Sequence, residues 1–213
     1  MDVKSIFSVV AGVLFFAAFL LYAYSIVKNK LRFGRISRLQ AILNRVVKSE
    51  TKPVKASWII WASLDTITLA GMTAKHSLNG QIVGAVAGAW IVVVLAMKYG
   101  IPGWTKLDKF CLGGALLGIA LWAIFNSPVM GLVTSVSVVF LGSFPTFVSA
   151  WHDPCRENKV AWTIFWASCV FAVMAIPKLT LQDAMQPITF FLIESIMMYI
   201  LYIRPKLKQS PAV

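Results

Sequence analysis

Residues 6–27 read IFSVVAGVLFFAAFLLYAYSIV, and residues 28–55 read KNKLRFGRISRLQAILNRVVKSETKPVK. The first stretch carries no charge and is about as long as a helix needs to cross ~30 Å of hydrocarbon. The second holds nine basic residues: Lys28, Lys30, Arg32, Arg35, Arg38, Arg45, Lys48, Lys52 and Lys55. In lipid a backbone group finds no water to bond, so a crossing segment has to satisfy its own amides, and a helix does this. The alternation then repeats. Further apolar runs lie at Ser57–Ala74, Gln81–Met97, Phe110–Phe125, Val129–Trp151, Val160–Ile176 and Met185–Ile203. Positive charge returns in alternate gaps, as Lys98, Lys106 and Lys109, then Arg156 and Lys159, then Arg204, Lys206 and Lys208. Only Lys4, Lys75 and Lys178 fall on the other side. The positive-inside bias therefore predicts an N-terminus outside and a C-terminus in the cytoplasm. The expected fold class is an all-α integral membrane protein with seven transmembrane helices.

Composition agrees. The 213 residues are 59% hydrophobic and 13% charged, with a mean hydropathy of +0.77, which excludes an ordinary soluble domain. The seven runs use nearly the whole chain, so 1–213 reads as a single membrane domain. A net charge of +12 would suit nucleic acid, but its sorting by membrane side points to an anionic inner leaflet instead. Cys111, Cys155 and Cys169 form no CxxC pair, so neither a disulfide framework nor a metal site is expected, and no cofactor fingerprint is present. The first run is longer than the apolar core of a signal peptide, and its heaviest positive charge follows it, which predicts a retained span.

Within the long gap at 28–56, Ile36, Leu39, Ile42, Leu43, Val46 and Val47 recur at helical spacing, with Arg35, Arg38, Arg45 and Lys48 between them. This predicts an amphipathic helix on the inner leaflet, its cations on lipid phosphates and its end near Pro53. A charged linker with apolar residues tucked under the bundle is the other reading. The remaining connections are short, as at Asn79-Gly80, Asn126-Ser127-Pro128 and 177–184. Gly84-xxx-Gly88 and Gly114-xxx-Gly118 offer smooth faces for close helix approach.

An internal repeat lies beneath this topology. Trp58-Ile59-Ile60-Trp61-Ala62-Ser63 opens the second span and Trp162-Thr163-Ile164-Phe165-Trp166-Ala167-Ser168 opens the sixth, each after a basic loop. Placing Trp61-Ala62-Ser63 on Trp166-Ala167-Ser168 needs a shift of 105, and that shift also places Gln81 on Gln186. Two three-helix halves, 1–98 with the basic insertion 28–56 and 129–204, would flank a linker helix at 110–128. This is the parallel kind of transporter repeat, a 3+1+3 plan. With Gly142-Ser143-Phe144-Pro145-Thr146 in the fifth span and Asp153-Pro154 after it, the chain resembles the SWEET and PQ-loop superfamily. Bacterial members with Trp-bearing second and sixth helices are the most similar. The resemblance covers roughly 55–204. It departs from the pattern at Thr146, where Gln is usual, and at the first half, where the matching position is Gln40 rather than Pro. It implies alternating access around a pocket between the halves, a hinge at Pro145, and residence in the bacterial inner membrane, as a monomer or within a homo- or hetero-oligomer.

The candidate site rests on Asp65 and Glu194, the acidic residues inside spans, each roughly 12–14 Å from its helix end at 1.5 Å per residue. A carboxylate at that depth costs about 2.5–3.5 kcal/mol on insertion scales, so it faces the bundle or a wet cavity. One reading makes the pair ligands for a solute or proton; the other makes them carboxyls bonded to neighbouring helices for packing. Trp58, Trp61, Asp65, Thr68 and Met72 share a helix face, and so do Trp162, Trp166, Cys169 and Val173. Trp61, Trp166 and Thr68 are the expected solute contacts, because Trp58 and Trp162 sit where interfacial aromatic belts form. Pro145 reads as a hinge or as a static kink, with Ser143, Thr146 and Ser149 available to freed carbonyls. His76, His152 and the loop of Asp153, Arg156, Glu157 and Lys159 read as solvated. A carrier for a small polar solute is the leading expectation. A sorting receptor or accessory subunit is the alternative, and the absence of any nucleophile–base set argues against an enzyme.

Overall fold

The computed structural model describes residues 2–28, 38–47, 50–101, 104–125 and 128–205. These residues form helices α1 (Val3–Val27), α2 (Arg38–Val46), α3 (Lys55–Ala74), α4 (Gly80–Tyr99), α5 (Lys106–Phe125), α6 (Pro128–His152), α7 (Lys159–Met174) and α8 (Leu181–Met198). A 3-10 turn at Pro154–Arg156 precedes α7, and α8 widens into a π-helical turn at Tyr199–Ile203. That widening comes just before Pro205, whose ring crowds the carbonyl four residues earlier and cannot donate. No strand occurs among the described residues. Each long apolar run of the sequence has become one helix. Among the described residues, Val3–Val27, Gly80–Tyr99, Val133–His152 and Leu181–Ile203 are long and apolar enough to cross a membrane, and Lys159–Met174 is a shorter apolar helix.

Side-chain caps fix where several helices begin. Asp2 accepts from the Ser5 amide at 2.8 Å, Asn79 from Ile82 at 3.0 Å, and Asn158 from Val160 and Ala161 at 3.1 Å each. Thr105 and Asp108 cap α5 reciprocally, each side chain accepting the other's amide.

Six helices close into a ring in the order α1, α4, α3, α6, α8, α7, each packed on its neighbours, and α5 lies outside against α6 and the edge of α3. Glycine sets the closest approach, between α1 and α4. A Cβ on Gly12 would stand 2.5 Å from the Gly80 carbonyl oxygen, and one on Gly84 2.6 Å from that of Gly12. Gly88 makes room for the Phe19 ring. At Gly114, the first glycine of the pair expected in the fourth run, a Cβ would meet nothing within 4 Å.

The basic connections gather at one end of the ring. The Thr51 amide donates to the Ser25 carbonyl at 3.2 Å, Lys52 to Arg156 at 3.2 Å, and Ile101 to Pro53 at 3.0 Å. An extended stretch after α2 thus ties the ends of α1, α4 and α6 together. At the opposite end, Lys4 donates to the Ile176 and Pro177 carbonyls at 2.9 Å each, and the Gly80 amide to Ser8 at 2.8 Å.

The amphipathic helix is shorter than its periodicity predicts. It ends at Val46, well before Pro53, and Val47 turns into the bundle with 1% of its surface exposed. Lys28 holds it there, donating to the Val47 carbonyl at 2.8 Å. Ile42 stays exposed. Ile36, Arg35 and Lys48 lie outside the described residues.

Candidate functional site

A cavity of about 40 Å³ lies inside the ring. Space on that scale holds a few waters. Its aromatic wall comes from four helices: Phe15 and Phe19 on α1, Trp58 and Trp61 on α3, Trp162 and Phe165 on α7, and Phe190 on α8. Ring centroids within this wall stand 4.8 Å apart for Phe19–Phe165, 4.9 Å for Trp58–Trp61 and 4.9 Å for Phe15–Phe165. Asp65 on α3 and Glu194 on α8, the two helices that flank α6 in the ring, line the same cavity. They are 4% and 6% exposed, and Asp65 Oδ1 and Glu194 Oε2 are buried without a hydrogen-bond partner.

Polar layers flank the cavity toward both ends of the ring. Toward the N-terminal end lies a chain of side-chain amides, of which Gln81 and Gln186 are fully buried. Asn79 Nδ2 donates to Gln186 Oε1 at 2.8 Å, and Gln186 Nε2 donates to Gln81 Oε1 at 3.1 Å. Gln81 Nε2 reaches Ser168 Oγ at 3.3 Å and Cys169 Sγ at 3.1 Å, and Ser168 Oγ donates to the Ala11 carbonyl at 2.7 Å. Ala11, Ser168 and Gln186 each stand about one helical turn from Phe15, Phe165 and Phe190, so this layer is the cavity's lid. One turn further out is a cleft of about 330 Å³, lined in part by Lys4, Ser8, Asn79 and Asp183.

Toward the basic end, Tyr22 and Trp162 close the floor over Glu157. Tyr22 Oη and Trp162 Nε1 both donate to Glu157 Oε2, at 2.9 and 2.8 Å. Tyr22 also packs on Trp58 at 4.9 Å. Glu157 precedes α7 and is 1% exposed. Burial pushes its carboxyl up to about 7, against the two hydrogen bonds that favour the charged form.

Among the expected contacts, Trp61, Asp65 and Glu194 therefore share one cavity, with the Trp61 indole donating to the Val139 carbonyl at 3.1 Å. Trp166 lies elsewhere, its indole on Ser195 Oγ at 3.1 Å and its ring 6.0 Å from Phe191. Thr68 is buried but does not line the cavity. Trp58 and Trp162, expected at the membrane interface, are 2% and 1% exposed and form the wall instead. Glu157 is no solvated turn residue. His152 bonds the Val148 carbonyl at 2.8 Å, and Asp153 pairs with Arg156 at 3.1 Å.

Pro145 stays inside an unbroken α6 and faces a different cleft of about 210 Å³ with Lys55, Ser149, His152 and Arg156. Ser143 Oγ bonds the Val139 carbonyl at 3.0 Å, whereas the hydroxyls of Thr146 and Ser149 have no partner. Pro187, which the sequence pattern did not single out, sits inside α8 one residue beyond Gln186 of the amide layer.

No protein-family profile matches the chain, and no curated protein or solved structure resembles it significantly.

Proposed function

We propose that this is a seven-helix membrane carrier that moves a small polar solute by alternating access, in the manner of the SWEET and PQ-loop superfamily. The observation that carries this reading is the shared cavity, lined by two carboxyls with unpartnered oxygens. Buried acids used only for packing would be bonded to neighbouring helices, because an unpaired buried polar group costs about 1–3 kcal/mol. The 3+1+3 plan finds support in the amide lid. Gln81 and Gln186, equivalent under the 105-residue shift, hydrogen-bond to each other across the ring. In this reading α1, α3 and α4 form one half, α6, α7 and α8 the other, and α5 links them.

In this reading the amide lid on the outer side and the Glu157 floor on the inner side are the two gates that flank the cavity of about 40 Å³. Solute passes when one layer parts while the other holds. Pro145 is the hinge that lets the inner end of α6 move. The basic end faces the cytoplasm of a bacterium, where α2 lies on anionic lipid with Arg45 exposed on its surface. Reconstitution into liposomes with sugar, amino-acid and proton flux measurements tests the reading. Wild type should move one of these classes, and Asp65→Asn should lose most of that flux. Equal flux in both would remove Asp65 from the mechanism. The small size of the cavity favours a second reading, a sorting receptor or accessory subunit, which no flux of any class would support.

A further inference from the structure

The chemistry of the cavity wall narrows the solute, on the reading that this cavity is the solute site. We propose that it binds the ammonium group of an organic cation, held by the faces of Trp58, Trp61, Trp162 and Phe19 and countered by Asp65 and Glu194. No Lys, Arg or His lines the cavity among the described residues, so an anion would meet two carboxyls and no counter-charge. A sugar needs several donors and acceptors around its hydroxyls. The wall offers few, because the Trp61 indole is spent on the Val139 carbonyl and the Trp162 indole on Glu157. Only the Trp58 indole N–H remains buried without a partner.

An ammonium group answers each feature at once. Aromatic faces attract a cation through their quadrupoles, most strongly when water is excluded, and Trp is the best of them. Asp65 Oδ1 and Glu194 Oε2 accept its charge or its N–H groups. The cavity has the apolar bulk and few polar anchors of a ligand pocket, with acid as the anchor.

Binding and movement are separable, so the test measures both on the full chain. Purified protein in detergent is titrated with methylammonium chloride and tetramethylammonium chloride, two head sizes, against matched sodium chloride and glucose. Tryptophan fluorescence is the readout because three indoles line the cavity. Saturable change with an ammonium salt alone, at least tenfold weaker in Asp65→Asn and Glu194→Gln and several-fold weaker in Trp61→Phe, is the expected result. Labelled methylammonium or tetramethylammonium uptake into proteoliposomes follows. Binding with uptake supports both proposals. Binding without uptake keeps the cation site and overturns the carrier reading. No saturable ammonium signal, or one untouched by both acid substitutions, overturns the cation site, and an Asp65-dependent sugar flux would then leave the carrier standing. Should Asp65→Asn not yield monodisperse protein, Glu194→Gln and Trp61→Leu carry the same comparison.

Discussion

Replacing Glu157 by Gln should change how stability depends on pH, and the size of the effect follows from the floor of the cavity. The carboxyl titrates at about 7 in the folded protein against an ordinary 4.5, with burial as the main cause. The folded state therefore holds this proton more tightly than the unfolded chain does. Below pH 4.5 both states are protonated and the group contributes no penalty. Between pH 4.5 and 7 the unfolded chain loses the proton first, so stability falls as pH rises, and above 7 the full penalty stands. At ~1.4 kcal/mol per tenfold in proton affinity, the gap from 4.5 to about 7 amounts to about 3 kcal/mol. For a chain of this length that is roughly 6–12 °C in melting temperature. Glu157→Gln keeps an oxygen for Tyr22 and Trp162 but carries no charge at any pH. Thermal unfolding in one detergent at pH 4.5, 6 and 8 should show the variant matching wild type at low pH and exceeding it at pH 8. A variant that keeps the wild-type slope, or that melts below wild type at pH 8, would refute the reasoning. The second outcome would mean that the charged carboxylate stabilises the floor.

Gln186→Leu strips Asn79 and Gln81 of a partner in the amide lid and should cost about 1–3 kcal/mol, seen as a lower melting temperature. Gln81→Leu/Gln186→Leu together should cost less than the sum of the single changes, and strict additivity would show that the two amides do not act as a pair. Gly12→Ala drives a methyl into the Gly80 carbonyl and should cost about 1–3 kcal/mol, whereas Gly114→Ala, with nothing nearby, should be neutral or gain up to about 1 kcal/mol. Equal effects at the two glycines in thermal unfolding would contradict the close α1–α4 contact.

The long helices were legible because hydropathy over a full span is a dense signal, and every apolar run became a helix. The meeting of Gln81 and Gln186 was half legible: the shift of 105 paired them, but no sequence rule placed them in contact. The wall was misread by one step around the helix. Trp162 and Trp166 stand 40° apart on an ideal helix, and Phe165 stands 60° to the other side. The cavity takes Trp162 and Phe165, yet an indole draws the eye before a phenylalanine in an apolar run. Trp58 and Trp162 begin their helices, which locally means an interface. They are buried because Glu157 and the extended stretch after α2 fold over that end, a tertiary event invisible in either run. For the same reason Glu157 looked like one charge among several in a loop. The amphipathic helix fell short because periodicity continued through Val47, while the Lys28 contact turned that residue inward.

In the proposed carrier, Asp65 is reached from each side of the membrane in turn. A chain with Cys111, Cys155 and Cys169 changed to Ser and Asp65 to Cys can be labelled with a membrane-impermeant cationic thiol reagent in right-side-out and in inverted vesicles. Modification from both sides, slowed by bound solute, is the predicted result. A thiol that stays unmodified from both sides, yet reacts fully once the protein is unfolded, would contradict it.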